Sequence, residues 1–229
     1  MRKFLIISFF ILIHLSMSAK PQIIYVFDPM CGWCYGFSNT IKEAEKQYGA
    51  DFDFKIISGG MVLGEREGPI GDFADYILSA YTRVEEYSGM KFGQPYIDQL
   101  KTKSLHTSSM LPSIALAIVK SMDSTKAIQF ASAIQQAHFQ QGKNLSDSSS
   151  YEKILIDLIL NKDEFYLKLK SGEFETKAKE GFEESHYLGV NGYPAILALV
   201  NGKYYSIAKG FIDKKNLFEI LEKVKAIKD

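Results

Sequence analysis

Cysteine is scarce in this chain. There are two in 229 residues, Cys31 and Cys34. That scarcity excludes several designs. A structural zinc centre needs about four ligands, and His106, His138 and His186 stand at no ligand-like spacing from the pair. A secreted fold stapled for stability would carry more cysteines. A disulfide closed across two intervening residues restrains little chain, so it adds little as a staple. Net charge is also lacking, with 27 basic residues against 27 acidic ones. That balance points away from nucleic acid and strongly charged partners. No internal repeat is visible. The apolar stretch Phe4 to Leu15 is too short for a comfortable membrane span.

What is present is concentrated around the cysteine pair. An apolar β-type run, Ile23 to Phe27, leads into Asp28-Pro29-Met30-Cys31-Gly32-Trp33-Cys34, and a helical pattern, Ile41 to Tyr48, leads out. Two cysteines spaced Cys-x-x-Cys where a strand gives way to a helix form the layout of a thiol–disulfide redox centre. At the helix start, Cys31 would meet unpaired backbone N–H groups and the positive end of the helix dipole, which favour thiolate. Cys34 lies one turn on, on the same side. Cys31 is therefore read as the attacking nucleophile and Cys34 as the resolving thiol. Gly32 and Trp33 are read as tuning or substrate-contacting residues, with Trp33 exposed. Tyr35 and Phe37 are read as packing. Asp28 before Pro29 reads first as a turn former; a proton relay to Cys34 would require that it be buried.

Residues 1–19 read as an export signal. Arg2 and Lys3 give the basic start, Phe4 to Leu15 the apolar stretch, and Ser16-Met17-Ser18-Ala19 the small residues for cleavage. The expectation is a periplasmic or otherwise exported protein with no stable membrane insertion after cleavage. An uncleaved anchor is the alternative. Export would place the pair where disulfide chemistry has work to do.

Along the chain, Gln22–Asp28 and Asp51–Ser58 read as strands joined by a helix from Cys31 to about Gly49. A strand–helix–strand unit of this length implies a parallel pair. Gly59-Gly60 suggests a close backbone approach or an unusual turn. From Val62 to His186 there is no convincing strand. Helices are expected over 70–87, 95–101, 109–122, 124–140, 151–160, 163–170 and 174–188. In the first of these, Phe73, Ile77, Ala80 and Tyr81 form the apolar face. The stretch 109–122 is apolar nearly all round and so buried. Then Ala195–Val200 and Lys203–Ala208 form a hairpin about Asn201-Gly202, and Asp213 caps a last helix over 214–227.

Several of these stretches resemble the DsbA-like branch of the thioredoxin superfamily, nearest to its bacterial protein-disulfide isomerases. The matching pieces are Asp28 through Phe37, Gly59-Gly60-Met61, Gln136 through Lys143, and Gly192-Tyr193-Pro194 before the late strand. The resemblance implies an α/β, thioredoxin-like fold with an inserted all-helical domain. The parts would be a signal peptide (1–19), a first thioredoxin-like part (20–61), a helical insertion (62–188) and a second thioredoxin-like part (189–229). It also implies a cis Pro194 facing the cysteines, with the Tyr193 backbone offered to an extended substrate. Tyr193 is bulkier than the Val or Thr common in the family at that position.

The expected function is that of a thiol–disulfide oxidoreductase or isomerase acting on exported proteins, with no dissociable cofactor and no metal. Partners would be thiol-containing or disulfide-bonded client proteins and an unidentified redox partner. Three alternatives stand beside it. One is a chaperone-like or binding module on the same fold. Another is a glutathione-transferase-like or isomerase enzyme acting on small molecules. The last is a metal-handling protein.

Overall fold

The computed structural model describes residues 20–227. The expected export signal lies outside the described residues. Strand β1 (Gln22–Phe27) leads into helix α1 (Gly32–Tyr48) and strand β2 (Asp53–Ser58). The next elements are β3 (Gly68–Pro69), α2 (Phe73–Ser88), α3 (Gln94–Lys101), β4 (His106–Thr107), α4 (Met110–Met122) and α5 (Ala127–Phe139). Then come α6 (Glu152–Asp157), α7 (Lys162–Ser171), α8 (Glu173–Tyr187), β5 (Ala195–Val200), β6 (Lys203–Lys209) and α9 (Lys214–Ile227). The fold is α/β and thioredoxin-like, with a long helical run between the second and third strands of its sheet.

The sheet order is β2-β1-β5-β6. β1 and β2 run parallel, as the strand–helix–strand spacing requires, while β5 is antiparallel to both β1 and β6. The hairpin turns on Asn201 and Gly202, both at positive φ, the conformation Asn-Gly adopts at low cost. Successive β1 residues alternate between faces. Ile23, Tyr25 and Phe27 join the main core with Phe37, Ile41, Ala44 and Tyr48 of α1 and Leu217 and Leu221 of α9. Ile24 and Val26 join Ile57, Ala195 and Leu197 on the opposite face. Each large apolar side chain fully buried here contributes about 1.5–3 kcal/mol. On that opposite face α8 lies close to β2, with Gly181 over Ile57 and Ser58.

Two expectations change. The helical run does contain strand structure: β3 and β4 pair through Gly68 with Thr107 and Pro69 with His106. A ladder two residues long shows no periodicity, so the sequence does not reveal it. The α2 residues expected to face inward do so only partly. Of the expected face, Ile77, Ala80 and Tyr81 are half-buried and Phe73 is 59% exposed; the buried residues are Ala74 and Val84.

Candidate active site

Cys31 is the N-cap of α1, with extended backbone angles. The chain reaches it through a turn closed by the Cys31 N–H donating to the Asp28 carbonyl at 3.1 Å. Its Sγ accepts the Cys34 N–H at 3.3 Å, so the first turn of the helix points a donor at this sulfur. On its other side Sγ lies 3.5 Å from the Tyr193 carbonyl oxygen. The Tyr193–Pro194 peptide bond is cis. The resemblance implied this, and the loop sets Tyr193 beside the thiols.

The two cysteines are both free thiols, and they differ in access. Cys31 is 6% exposed and forms part of the floor of a cleft of about 280 Å³. Cys34 is 0% exposed and lies beneath it. Gly32, Trp33, Met30, Met61 and Tyr193 share the cleft with Cys31. Its far wall comes from α2, through Phe73, Tyr76, Ile77, Ala80, Tyr81 and Val84. This accounts for the exposed aromatics of α2: its apolar stripe faces an open cleft over the thiol. Among the described residues, none that lines the cleft is charged. A larger cavity of about 520 Å³ opens between α4, α8 and β2, lined by several lysines and glutamates, and touches neither cysteine.

Trp33 is half-buried. Its ring packs against Phe211 at 5.5 Å and Tyr87 at 6.2 Å while still lining the cleft. Pro194 is buried, and its carbonyl accepts the Gly210 N–H at 2.7 Å. Tyr35 and Phe37 are both fully buried. Tyr35 donates to the Lys91 carbonyl and accepts from Gln140, which ties α1 to the helical run. His138 is also buried. Its Nδ1 lies 3.0 Å from the Lys143 carbonyl, and burial pushes its pKa down to about 4.

The glycines after β2 serve both of the suggested purposes. A Cβ on Gly59 would lie 2.0 Å from the Tyr193 ring, so only glycine lets that ring in. The Tyr193 hydroxyl then donates to the Gly59 carbonyl at 2.7 Å. Gly60 has φ +71°, a left-handed turn that glycine adopts readily. That turn aims the Met61 N–H at Asp28.

Asp28 is the residue that local sequence reasoning undervalued. It is 0% exposed. Oδ1 accepts from the Met30 N–H and the Ser109 hydroxyl, each at 2.8 Å, and Oδ2 accepts from the Met61 N–H at 2.6 Å. Its carbonyl also accepts from Gln135 of α5 at 3.2 Å. Burial raises its pKa from the usual carboxylate value of 3.8 to about 6, against the lowering effect of these donors. Burial also pushes the Cys34 thiol well above its ordinary value, and the Cys31 sulfur and Asp28 carboxylate nearby add to the rise. Tyr25 of β1 packs against Cys34 from below. Its buried hydroxyl reaches no well-directed hydrogen bond among the described residues, and burial raises its pKa well above 10.0. One signal for Asp28 was present in the sequence: a lone carboxylate continuing the apolar run Ile23 to Phe27 straight into the cysteine motif.

A family model described as the DSBA-like thioredoxin domain matches residues 22–224. The chain belongs to that family. Among solved structures, a candidate protein disulfide isomerase from Nitrosomonas europaea superposes with TM-score 0.78 at 23% identity, over 92% of this chain and 100% of that one. The cytosolic disulfide reductase DsbM from Pseudomonas aeruginosa superposes with TM-score 0.77 at 22% identity, over 90% and 99%. Likeness at this identity speaks for the fold. Among curated proteins, the ClpXP adapter protein SpxH of Bacillus subtilis is 25% identical over 154 residues, 66% of this chain and 50% of that protein. The chain thus spans about half the length of that relative. Membership in the family supports thiol–disulfide oxidoreductase chemistry in general. No helix among the described residues is long and apolar enough to cross a membrane.

Proposed function

We propose that this protein exchanges disulfides with cysteine-containing polypeptides in an exported compartment. Cys31 attacks, Cys34 resolves, and residues 62–188 act as a helical insert that walls the cleft. The observation that carries the reading is the difference in access: one sulfur lies at a cleft floor beside the Tyr193 carbonyl, and the other is fully buried beneath it.

Acting as a reductase, the Cys31 thiolate attacks a client disulfide. A mixed disulfide forms at Cys31, and one client thiolate leaves. Cys34 gives its proton to the Asp28 carboxylate, and its thiolate attacks the Cys31 sulfur. The Cys31–Cys34 disulfide forms, and the second client thiolate departs. Two electrons have passed from the pair to the client. Acting as an oxidase, the same steps run backwards, with protonated Asp28 returning the proton to Cys34.

The cleft favours polypeptide over glutathione. Glutathione carries two carboxylates, and no cation among the described residues lines this cleft. Aromatic walls beside the sulfur suit an apolar side chain flanking a client cysteine. The Tyr193 backbone supplies an edge for an extended segment.

The test uses Cys34→Ala. It should accumulate client proteins as mixed disulfides on non-reducing gels, while Cys31→Ala accumulates none. The reverse pattern would overturn the role assignment. Equilibrating the pair against glutathione buffers then fixes whether it oxidises or reduces. The adapter named among the relatives favours a second reading, a binding module whose partners need no thiol exchange. Full function in Cys31→Ser would establish that reading instead.

A further inference from the structure

Ser109 occupies the N-cap of α4, where a serine ordinarily accepts a hydrogen bond from its own helix. Here it makes no such bond. The neighbouring Ser108 hydroxyl takes the Met110 N–H instead, at 3.1 Å. The Ser109 hydroxyl is fully committed elsewhere. It accepts the Val62 N–H at 3.0 Å and donates to Asp28 Oδ1 at 2.8 Å, across 81 residues of chain. The Ser109 N–H in turn donates to the Val62 carbonyl at 2.8 Å. This clasp holds the chain just after Met61, whose N–H is the donor to Asp28 Oδ2. Ser109 is 0% exposed, so no water competes for its proton.

We propose that Ser109 is a positioning residue through which the helical segment holds the Asp28 carboxylate in its charged form, and so sets the pH at which Cys34 can be deprotonated. The proposal rests on the reading of Asp28 as proton acceptor for Cys34. A hydroxyl donating to a buried carboxylate stabilises the ionised form and opposes the effect of burial. The titratable groups that act on this acid and its thiol are few. They are Tyr25 from β1, Cys31 and Cys34 from α1, and Tyr193 from the cis-proline loop. The helices α4 and α5 present neutral Ser109 and Gln135 to Asp28. With no cation beside it among the described residues, the carboxylate depends on neutral donors, of which Ser109 is the side-chain donor.

The experiment follows Cys34 directly. A thionitrobenzoate mixed disulfide is formed at Cys31 of the full chain, and release of thionitrobenzoate is timed across pH. In the wild type the rate should rise through a midpoint near pH 6, where Asp28 loses its proton. Ser109→Ala should move the midpoint upward by about one unit, giving roughly tenfold slower release below the wild-type midpoint and an unchanged rate at about pH 9. Ser109→Thr, which keeps the hydroxyl, should restore the midpoint. A lower rate at every pH with the midpoint unmoved would overturn the proposal, because it would mark a purely structural role. Asp28→Asn separates the two claims. If it keeps the wild-type inflection, the Asp28 reading fails. If it loses the inflection while Ser109→Ala keeps the wild-type midpoint, only the Ser109 proposal fails. Should Ser109→Ala not fold, the isosteric pair Ser109→Thr and Ser109→Val makes the same comparison.

Discussion

Cys31 and Cys34 share one helical turn but not one environment. Cys31 meets backbone groups and a cleft: the Cys34 N–H, the Tyr193 carbonyl and the aromatic wall of α2. Cys34 meets Tyr25 and the Asp28 backbone, lies within electrostatic reach of the buried Asp28 carboxylate, and has no solvent contact of its own. The contrast separates two needs of thiol exchange. The attacking sulfur needs a route for a client, and fixed N–H groups can serve it as an anion. The buried sulfur has no water to take its proton, so it needs a base inside the protein. A single exposed pair would offer the first and lack the second.

The contrast can be broken at either end. The largest effect is expected from Cys31→Ala, which should lower insulin-reduction activity by about a thousandfold or more, because no other thiol lines the cleft among the described residues. Asp28→Asn attacks the other side. It should slow resolution of mixed disulfides at neutral pH by about a hundredfold while leaving the first attack by Cys31 nearly unchanged. The same residue makes a stability prediction. Asp28 binds its proton more tightly folded, at about 6, than unfolded, near 3.8. The folded state therefore holds the extra proton, and the contribution of Asp28 to stability is greatest below about pH 4 and is lost as pH rises through about 6. The expected loss is up to about 3 kcal/mol in denaturant titrations of the reduced protein. Asp28→Asn should flatten that slope.

Gly59→Ala sharpens the comparison from the Cys31 side. Its methyl group would collide with the Tyr193 ring, costing about 1–3 kcal/mol in chemical denaturation. Tyr193→Val in the same chain should recover most of it. The smallest effect is expected from Tyr25→Phe. Removing a buried hydroxyl that lacks a well-directed partner should leave stability equal or raise it by about 1 kcal/mol. A drop of several kcal/mol would show that the hydroxyl is well paired.

Most of the fold was legible in the sequence because its signals are local. The alternation and apolar runs of the strands, the periodic faces of α1 and α9, and the Asn201-Gly202 turn each sit within a few residues. The cysteine motif was legible for the same reason, whereas Gly192-Tyr193-Pro194 was legible only through its resemblance to a family pattern. Three things were not. The α2 stripe was periodic, but periodicity does not tell a core from a cleft wall, since both are apolar. The β3–β4 pair was too short to show alternation. The role of Asp28 depends on burial and on donors from Gly60-Met61 and Ser109, which the fold alone brings together. A carboxylate before a proline looks the same whether it ends in water or in the core.

The hydroxyl of Tyr193 has a consequence of its own. It anchors the cis-proline loop to Gly59, two residues ahead of the amide that grips Asp28. Under the proposed exchange reaction, a polypeptide pairing with the Tyr193 backbone would lean on the very segment that cradles Asp28. Docking and proton handling would then share one mechanical mount, and removing the Tyr193 hydroxyl would loosen both together.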